Sequence, residues 1–279
     1  MKTFESRREG QDGTTFYIRG WEPDGKPKAV VVLLHGLGEH VGRYAHVGEA
    51  LSAAGYVLVG FDLRGHGKSN GIRGHFPSLD VVMQDVQGFF NFLPDRYSED
   101  LPRFLYGHSL GGLLAFAYAS KYGTGLSGVI ATGPGLRTAL QEQKVKVMLA
   151  KVLGTLAPTL LMPSGLEVTA LSRDPNIVTA YVNDPLVHDR ASMGFGKTAL
   201  ATIDVVFEQA SRFPVPLLIM YGSADKITYP SGGEDFARRV PGDVTLKIWG
   251  GLYHEIHNEP EQAEVFQFMI KWLDDHLKK

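Results

Sequence analysis

Short apolar runs separated by helix-like stretches constrain the fold of this chain more than any other feature. Ala29–Leu34 is six apolar residues in succession, the mark of a strand buried on both faces of a parallel sheet. A helix-like stretch at 44–54 follows, then strand-like Tyr56–Phe61, then a helix from Ser78, a natural N-cap, to Leu93. A short strand at 103–106 precedes Leu110–Tyr122, where Leu113, Leu114, Phe116, Ala117 and Tyr118 fall at helical spacing, and Gly128–Thr132 reads as the next strand. This alternation predicts βαβ units. Ahead of it, the turn-like Gln11-Asp12-Gly13 and a strand at 15–21 predict an N-terminal antiparallel hairpin.

The rhythm breaks after Thr132. Residues 134–207 read as helices and loops without a buried strand; strands resume at 215–221 and Val244–Trp249, and a helix at 260–277 closes the chain. The expectation is one doubly wound, mostly parallel α/β sheet, with core segments 1–133 and 208–279 and a helical cap insertion at 134–207. With 279 residues, 44% of them hydrophobic, the chain can bury a single large core. A net charge of −2 and the lack of any basic run argue against nucleic acid as a partner. Zero cysteines exclude disulfides and thiolate metal sites and fit a reducing compartment. The start, Met1 to Glu9, holds no apolar stretch that could act as a signal peptide. The nearest thing to a membrane segment, 147–166, is interrupted by Gly154, Pro158, Pro163 and Gly165. The expected location is cytoplasmic, with peripheral membrane contact left open.

Gly107-His108-Ser109-Leu110-Gly111 is a G-x-S-x-G pentapeptide set between a strand and a helix. A serine hydroxyl becomes a useful nucleophile when a tight turn lifts it clear of the backbone beside a base, and the glycines permit that turn. A histidine base and an orienting acid should then follow later strands, in the order Ser, Asp, His. Asp225 lies in the loop after 215–221, and His254 is the first imidazole after Val244–Trp249. In the chemistry this predicts, His254 takes the proton of Ser109 and Asp225 holds the imidazole tautomer. Leu110 and Leu37, the latter in His35-Gly36-Leu37-Gly38, supply backbone N–H groups to the oxyanion. His35 and His108 read as structural, and His40, His66 and His75 as loop residues at the surface. His254-Glu255-Ile256-His257 lacks H-E-x-x-H spacing, so no metal site is expected. The glycines after Ala29–Leu34 also admit a dinucleotide-binding reading, but their spacing is one residue too long and the Ser, Asp and His would go unexplained. Gly65-His66-Gly67-Lys68-Ser69 lacks the first glycine of a P-loop.

Several segments carry a family resemblance. His35-Gly36-Leu37-Gly38-Glu39-His40 with Arg43-Tyr44, Asp62-Leu63-Arg64-Gly65-His66-Gly67-Lys68-Ser69, Gly71-Ile72-Arg73-Gly74 and Gly107-His108-Ser109-Leu110-Gly111-Gly112 resemble the monoacylglycerol lipases, serine-type members of the α/β-hydrolases. Leu171-Ser172-Arg173 and Tyr181-Val182-Asn183-Asp184-Pro185-Leu186 extend the likeness into the insertion. The resemblance implies hydrolysis of monoacylglycerols to fatty acid and glycerol without a cofactor, with Glu39, Arg43, Tyr181 and His257 around the glyceryl group. A structural ion pair between Glu39 and Arg43 is an equal alternative. The segment 145–161, with Val145, Val147, Met148, Leu149, Val152, Leu153, Leu156, Leu160 and Leu161, is then either a helix packed down on the core or, the favoured reading, a mobile helical lid over an acyl tunnel that touches membranes or micelles transiently. The alternatives are a broader carboxylesterase or lysophospholipase with the same triad, and a non-catalytic receptor, against which the intact Ser, Asp and His speak. Oligomeric state is left open.

Overall fold

Side chains of the apolar runs point alternately to the two faces of a sheet, so each run needs helices on both sides. The computed structural model describes residues 1–277, without the side chains of 140, 144–146 and 149. β1 (Lys2–Glu9) and β2 (Thr15–Glu22) form the expected hairpin, followed by β3 (Ala29–Leu34), α1 (Ala45–Ala53), β4 (Tyr56–Phe61) and α2 (Leu79–Phe92). β5 (Arg103–His108), α3 (Leu110–Tyr122) and β6 (Gly128–Thr132) come next. Between β6 and the next sheet strand lie α4 (Ala139–Glu142), α5 (Lys144–Leu156), β7 (Leu161–Pro163), α6 (Pro175–Asn183), β8 (Arg190–Ser192) and α7 (Met193–Gln209). β9 (Leu217–Gly222), α8 (Pro230–Ala237), β10 (Val244–Trp249) and α9 (Gln262–Asp275) complete the chain.

Eight strands form one sheet in the order β1-β2-β4-β3-β5-β6-β9-β10, parallel from β4 to β10. β2 pairs antiparallel with both β1 and β4. On one face Val30, Val32 and Leu34 pack with Val86, Phe89 and Phe116 of α2 and α3, joined by Ile203 and Val206 of α7. On the other, Val31 and Leu33 pack with Val47 and Leu51 of α1 and Met269 and Leu273 of α9. The chain runs from β3 outward to β4, then crosses back to β5, so strand order reverses between β3 and β5. Such a reversal opens a crevice at the carboxyl ends of the two strands, where ligands of open α/β sheets bind.

Two features differ from expectation. The lid helix stops at Leu156, before the expected 161. Pro158 disfavours helical backbone in the residue before it, and Ala157 leaves the helix at φ −141 and ψ 63. Leu160 therefore lies outside the helix and Leu161 opens β7, which pairs antiparallel with β8. The side chains of Val145 and Leu149 lie outside the described residues.

Candidate active site

β5 ends at His108 and α3 starts at Leu110, so the chain turns from strand to helix within one residue. Ser109 sits at φ 53 and ψ −114, the one non-glycine with positive φ among the described residues. A backbone so placed costs on the order of 1–3 kcal/mol and persists only where its surroundings enforce it. A Cβ at position 107 would lie 2.2 Å from the Gly111 carbonyl oxygen, and one at 111 would lie 1.9 Å from that of Leu34. Both positions therefore require glycine. The Ser109 N–H donates to the Thr132 carbonyl at 2.9 Å, and the N–H groups of Leu113 and Gly135 donate to the Ser109 carbonyl at 3.1 and 3.0 Å. The turn is thereby tied to β6 and the loop beyond it.

The loops after β9 and β10 bring Asp225 and His254 together: His254 Nδ1 lies 2.8 Å from Asp225 Oδ2. The other carboxylate oxygen accepts from the N–H groups of Ile227 (2.8 Å) and Thr228 (2.9 Å), so Asp225 cannot rotate. Thr228 Oγ1 lies 2.9 Å from Asp225 Oδ2 and 3.1 Å from His254 Nδ1. Burial works against the His254 imidazolium, but the Asp225 charge and hydrogen bond outweigh it and raise its pKa above the ordinary value. Burial likewise pushes the Asp225 carboxyl up, yet His254 and the two amides hold it below the usual carboxylate range. An imidazole held this way can accept a proton from a neighbouring hydroxyl.

The loop after β3 supplies the third wall. Its Gly36 N–H is committed to Glu39 Oε1 at 2.6 Å, which makes Leu37 the next amide along. Leu37 and Leu110 line one cavity together with Ser109 and His254. Glu39 also accepts from Tyr44 Oη (2.7 Å) and from Arg43 (2.7 Å), and Arg43 makes a two-pronged pair with Glu255 at 2.7 and 2.8 Å. The Arg43 guanidinium lies 4.6 Å from the centre of the Tyr181 ring. The ion-pair alternative for Glu39 and Arg43 is thus present, while Glu39, Tyr181 and Glu255 also face the cavity. Burial raises the Glu39 pKa; Glu255 is lowered, because Arg43 on both its oxygens overcomes the same penalty.

The histidines divide differently from the sequence expectation. His257 does not line the cavity: it is fully buried behind it, its ring 4.9 Å from that of Tyr44 and 4.6 Å from that of His108. The short helix Ile256–Asn258 holds it in the interior. His35 accepts from the Leu63 N–H (2.9 Å); His108 bonds Thr132 (3.0 Å) but also lines the cavity, its ring 4.7 Å from that of His254. His40 and His66 are not surface residues. The insertion covers both, His40 through Asp184 at 2.9 Å and His66 through the ring of His188 at 4.8 Å. His75 is partly buried against Ser192 at 2.8 Å. Sequence reasoning missed Glu255 and Thr228; the first adjoins His254, which was the only signal for it.

The cavity holds about 260 Å³ and is mostly apolar. Leu113 of α3 and Phe195, Ala199, Leu200 and Ile203 of α7 form one wall, and Glu39, Tyr181 and Glu255 form a polar patch. Residues 25–261 match the family model for serine aminopeptidase, S33. A monoacylglycerol lipase of Mycolicibacterium smegmatis is 37% identical over 96% of this chain and 96% of its own length. An abhydrolase domain-containing protein of Dictyostelium discoideum is equally similar, 37% over 96% of this chain, but the chain spans only 28% of its length. The crystal structure of a monoacylglycerol lipase of Paleococcus ferrophilus superposes with a TM-score of 0.85 at 37% identity, covering 94% of this chain and 99% of that one. Fold, site geometry and these likenesses together place the chain in the monoacylglycerol lipase family of serine α/β-hydrolases, and it is a carboxylic ester hydrolase.

Proposed function

We propose that this enzyme cleaves monoacylglycerols to fatty acid and glycerol through Ser109, His254 and Asp225. The observation that carries the proposal is a single cavity in which an apolar wall and a buried polar patch flank the same serine. Ser109 Oγ attacks the ester carbonyl as His254 takes its proton, and the Leu37 and Leu110 N–H groups stabilise the oxyanion. His254 then gives the proton to the departing glycerol oxygen, leaving an acyl-serine. Water, deprotonated by the same imidazole, attacks the acyl carbonyl; the acyl–Oγ bond breaks, His254 returns the proton to Ser109 Oγ, and the fatty acid leaves. Glu39, Tyr181 and Glu255 offer partners for two free hydroxyls, and Arg43 sets the two carboxylates in place behind them. A second acyl chain would cover this polar patch without offering it a hydrogen-bonding group.

Residues 134–207 form the cap over this cavity. On α5, Met148, Val152 and Leu156 are 59%, 52% and 77% exposed at successive four-residue intervals, and Leu160 and Met162 continue the apolar face. Such a face on a cap suits transient contact with a membrane or micelle that holds the substrate. Among the described residues no helix is long and apolar enough to cross a membrane.

The test is a panel of monoacylglycerols from C4 to C18 with matched diacylglycerols and lysophosphatidylcholines. Each buried methylene contributes about 0.8 kcal/mol, so C12 should exceed C4 under matched soluble conditions, with the diacyl and phosphocholine compounds poor. Faster hydrolysis of C4 would defeat the acyl-wall assignment, and preference for the phosphocholine compounds would favour a lysophospholipase.

A further inference from the structure

The two stretches of the insertion that carry the family resemblance, Leu171 to Arg173 and Tyr181 to Leu186, both dock on catalytic loops. At one end the Leu171 carbonyl accepts from the Glu255 N–H at 2.8 Å and the Ala170 carbonyl from the His254 N–H at 3.4 Å. Ser172 Oγ donates to the Asn258 carbonyl at 2.9 Å, and Arg173 pairs with the buried Glu259 at 2.9 Å. At the other end the His188 N–H donates to the Gly38 carbonyl at 2.9 Å. The fit there is so close that a Cβ at position 38 would lie 2.4 Å from the His188 carbonyl oxygen. Gly38, at φ 77, adjoins Leu37.

Asp184 completes this second grip. His40 Nδ1 accepts from the Gly42 N–H at 3.1 Å, so the ring proton sits on Nε2 and is donated to Asp184 Oδ2 at 2.9 Å. The remaining Asp184 oxygen accepts from the Leu186 N–H at 2.8 Å, which fixes the carboxylate. Between the two grips runs α6, about 13 Å of helix at 1.5 Å per residue.

We infer that residues 170–188 are a bracket spanning the oxyanion loop and the histidine loop, and that Asp184, through His40, is a positioning residue for the Leu37 amide. This rests on the proposed oxyanion role of Leu37. The exposed apolar face lies on the preceding half of the insertion, at 148–162. Contact with a lipid surface and alignment of the catalytic loops thus fall to separate halves of the insertion.

The test measures kcat and KM on a soluble p-nitrophenyl ester, together with affinity for a long-chain trifluoromethyl ketone, which forms a tetrahedral oxyanion on the serine. In Asp184→Ala, kcat and ketone affinity should fall in parallel, by roughly 10- to 100-fold, a part of what a whole oxyanion donor is worth, with KM nearly unchanged. His40→Asn keeps a cap for the Gly42 N–H but loses its reach to Asp184, and should show the same signature even where Asp184→Ala does not fold. Val182→Ala, exposed on the same helix, should match the wild type. Folded Asp184→Ala and His40→Asn proteins that keep wild-type kcat and ketone affinity, or change only KM, would overturn the bracket. Failure of the wild type to bind the ketone, or equal binding by Ser109→Ala, would instead overturn the oxyanion reading beneath it.

Discussion

Asp225 is locked by two backbone amides and a threonine, so His254 has one orientation open to it. Asp225→Asn keeps the shape but lets the imidazole take the wrong tautomer; kcat should fall about 10⁴-fold with little change in KM, as steady-state kinetics would show. The base must be neutral to act, and its pKa is raised, so kcat/KM should fall as pH drops through a value above the ordinary 6.5 or so for histidine. Residual activity in Asp225→Asn should show that limb at lower pH, because the raising charge is gone; an unmoved limb would mean another group titrates. Asp225 and His254 were legible in the sequence because each follows a strand that ends at the site. Glu255 was not, since its partner Arg43 is 212 residues away and no local pattern links the two.

The strands β3, β4, β6 and β10 match their sequence expectation residue for residue; burial on both faces leaves β3, β4 and β6 nearly unbroken apolar runs, whereas β10, a half-buried edge strand, carries Thr245 and Lys247 among its apolar residues. β7 and β8 were illegible for the converse reason: each is three residues long and partly exposed, with no room for a period of two. The end of α5 turned on Pro158, whose effect on its neighbour a count of apolar residues overlooks. α7 lines the cavity with a small residue at 199, so if this wall holds the acyl chain as proposed, Ala199→Phe should shift the preferred monoacylglycerol to shorter chains, measured as kcat/KM across the C4 to C18 series. α5 faces outward, so Met148→Ser with Leu156→Ser should lower hydrolysis of vesicle-borne substrate several-fold while sparing soluble esters. Equal loss on both substrates would assign that face to folding.

The sheet reversal between β3 and β5 gathers loops from both halves of the chain over one crevice, and histidines are buried around it. His35, His66, His108 and His257 are fully buried, and burial lowers the pKa of each, to about 3 for His66 and His108. Below about pH 6.5 the unfolded chain takes up protons that the folded one refuses, so each costs about 1.4 kcal/mol per pH unit down to its folded value. His254, with its raised pKa, is already protonated in both states below about pH 6.5 and adds no slope there. The urea midpoint should therefore fall steeply between pH 6.5 and 5, and His66→Gln should flatten that slope. The overall architecture was readable from apolar rhythm; the burial of His40 and His66 was not, because their loops read as surface until the insertion is laid over them. The most direct test of the proposed chemistry is mass analysis of the enzyme quenched in acid during turnover of 1-monolauroylglycerol. A lauroyl adduct on the peptide bearing Ser109, absent in Ser109→Ala, is the predicted result; an adduct on another residue, or continued turnover by Ser109→Ala, would contradict it.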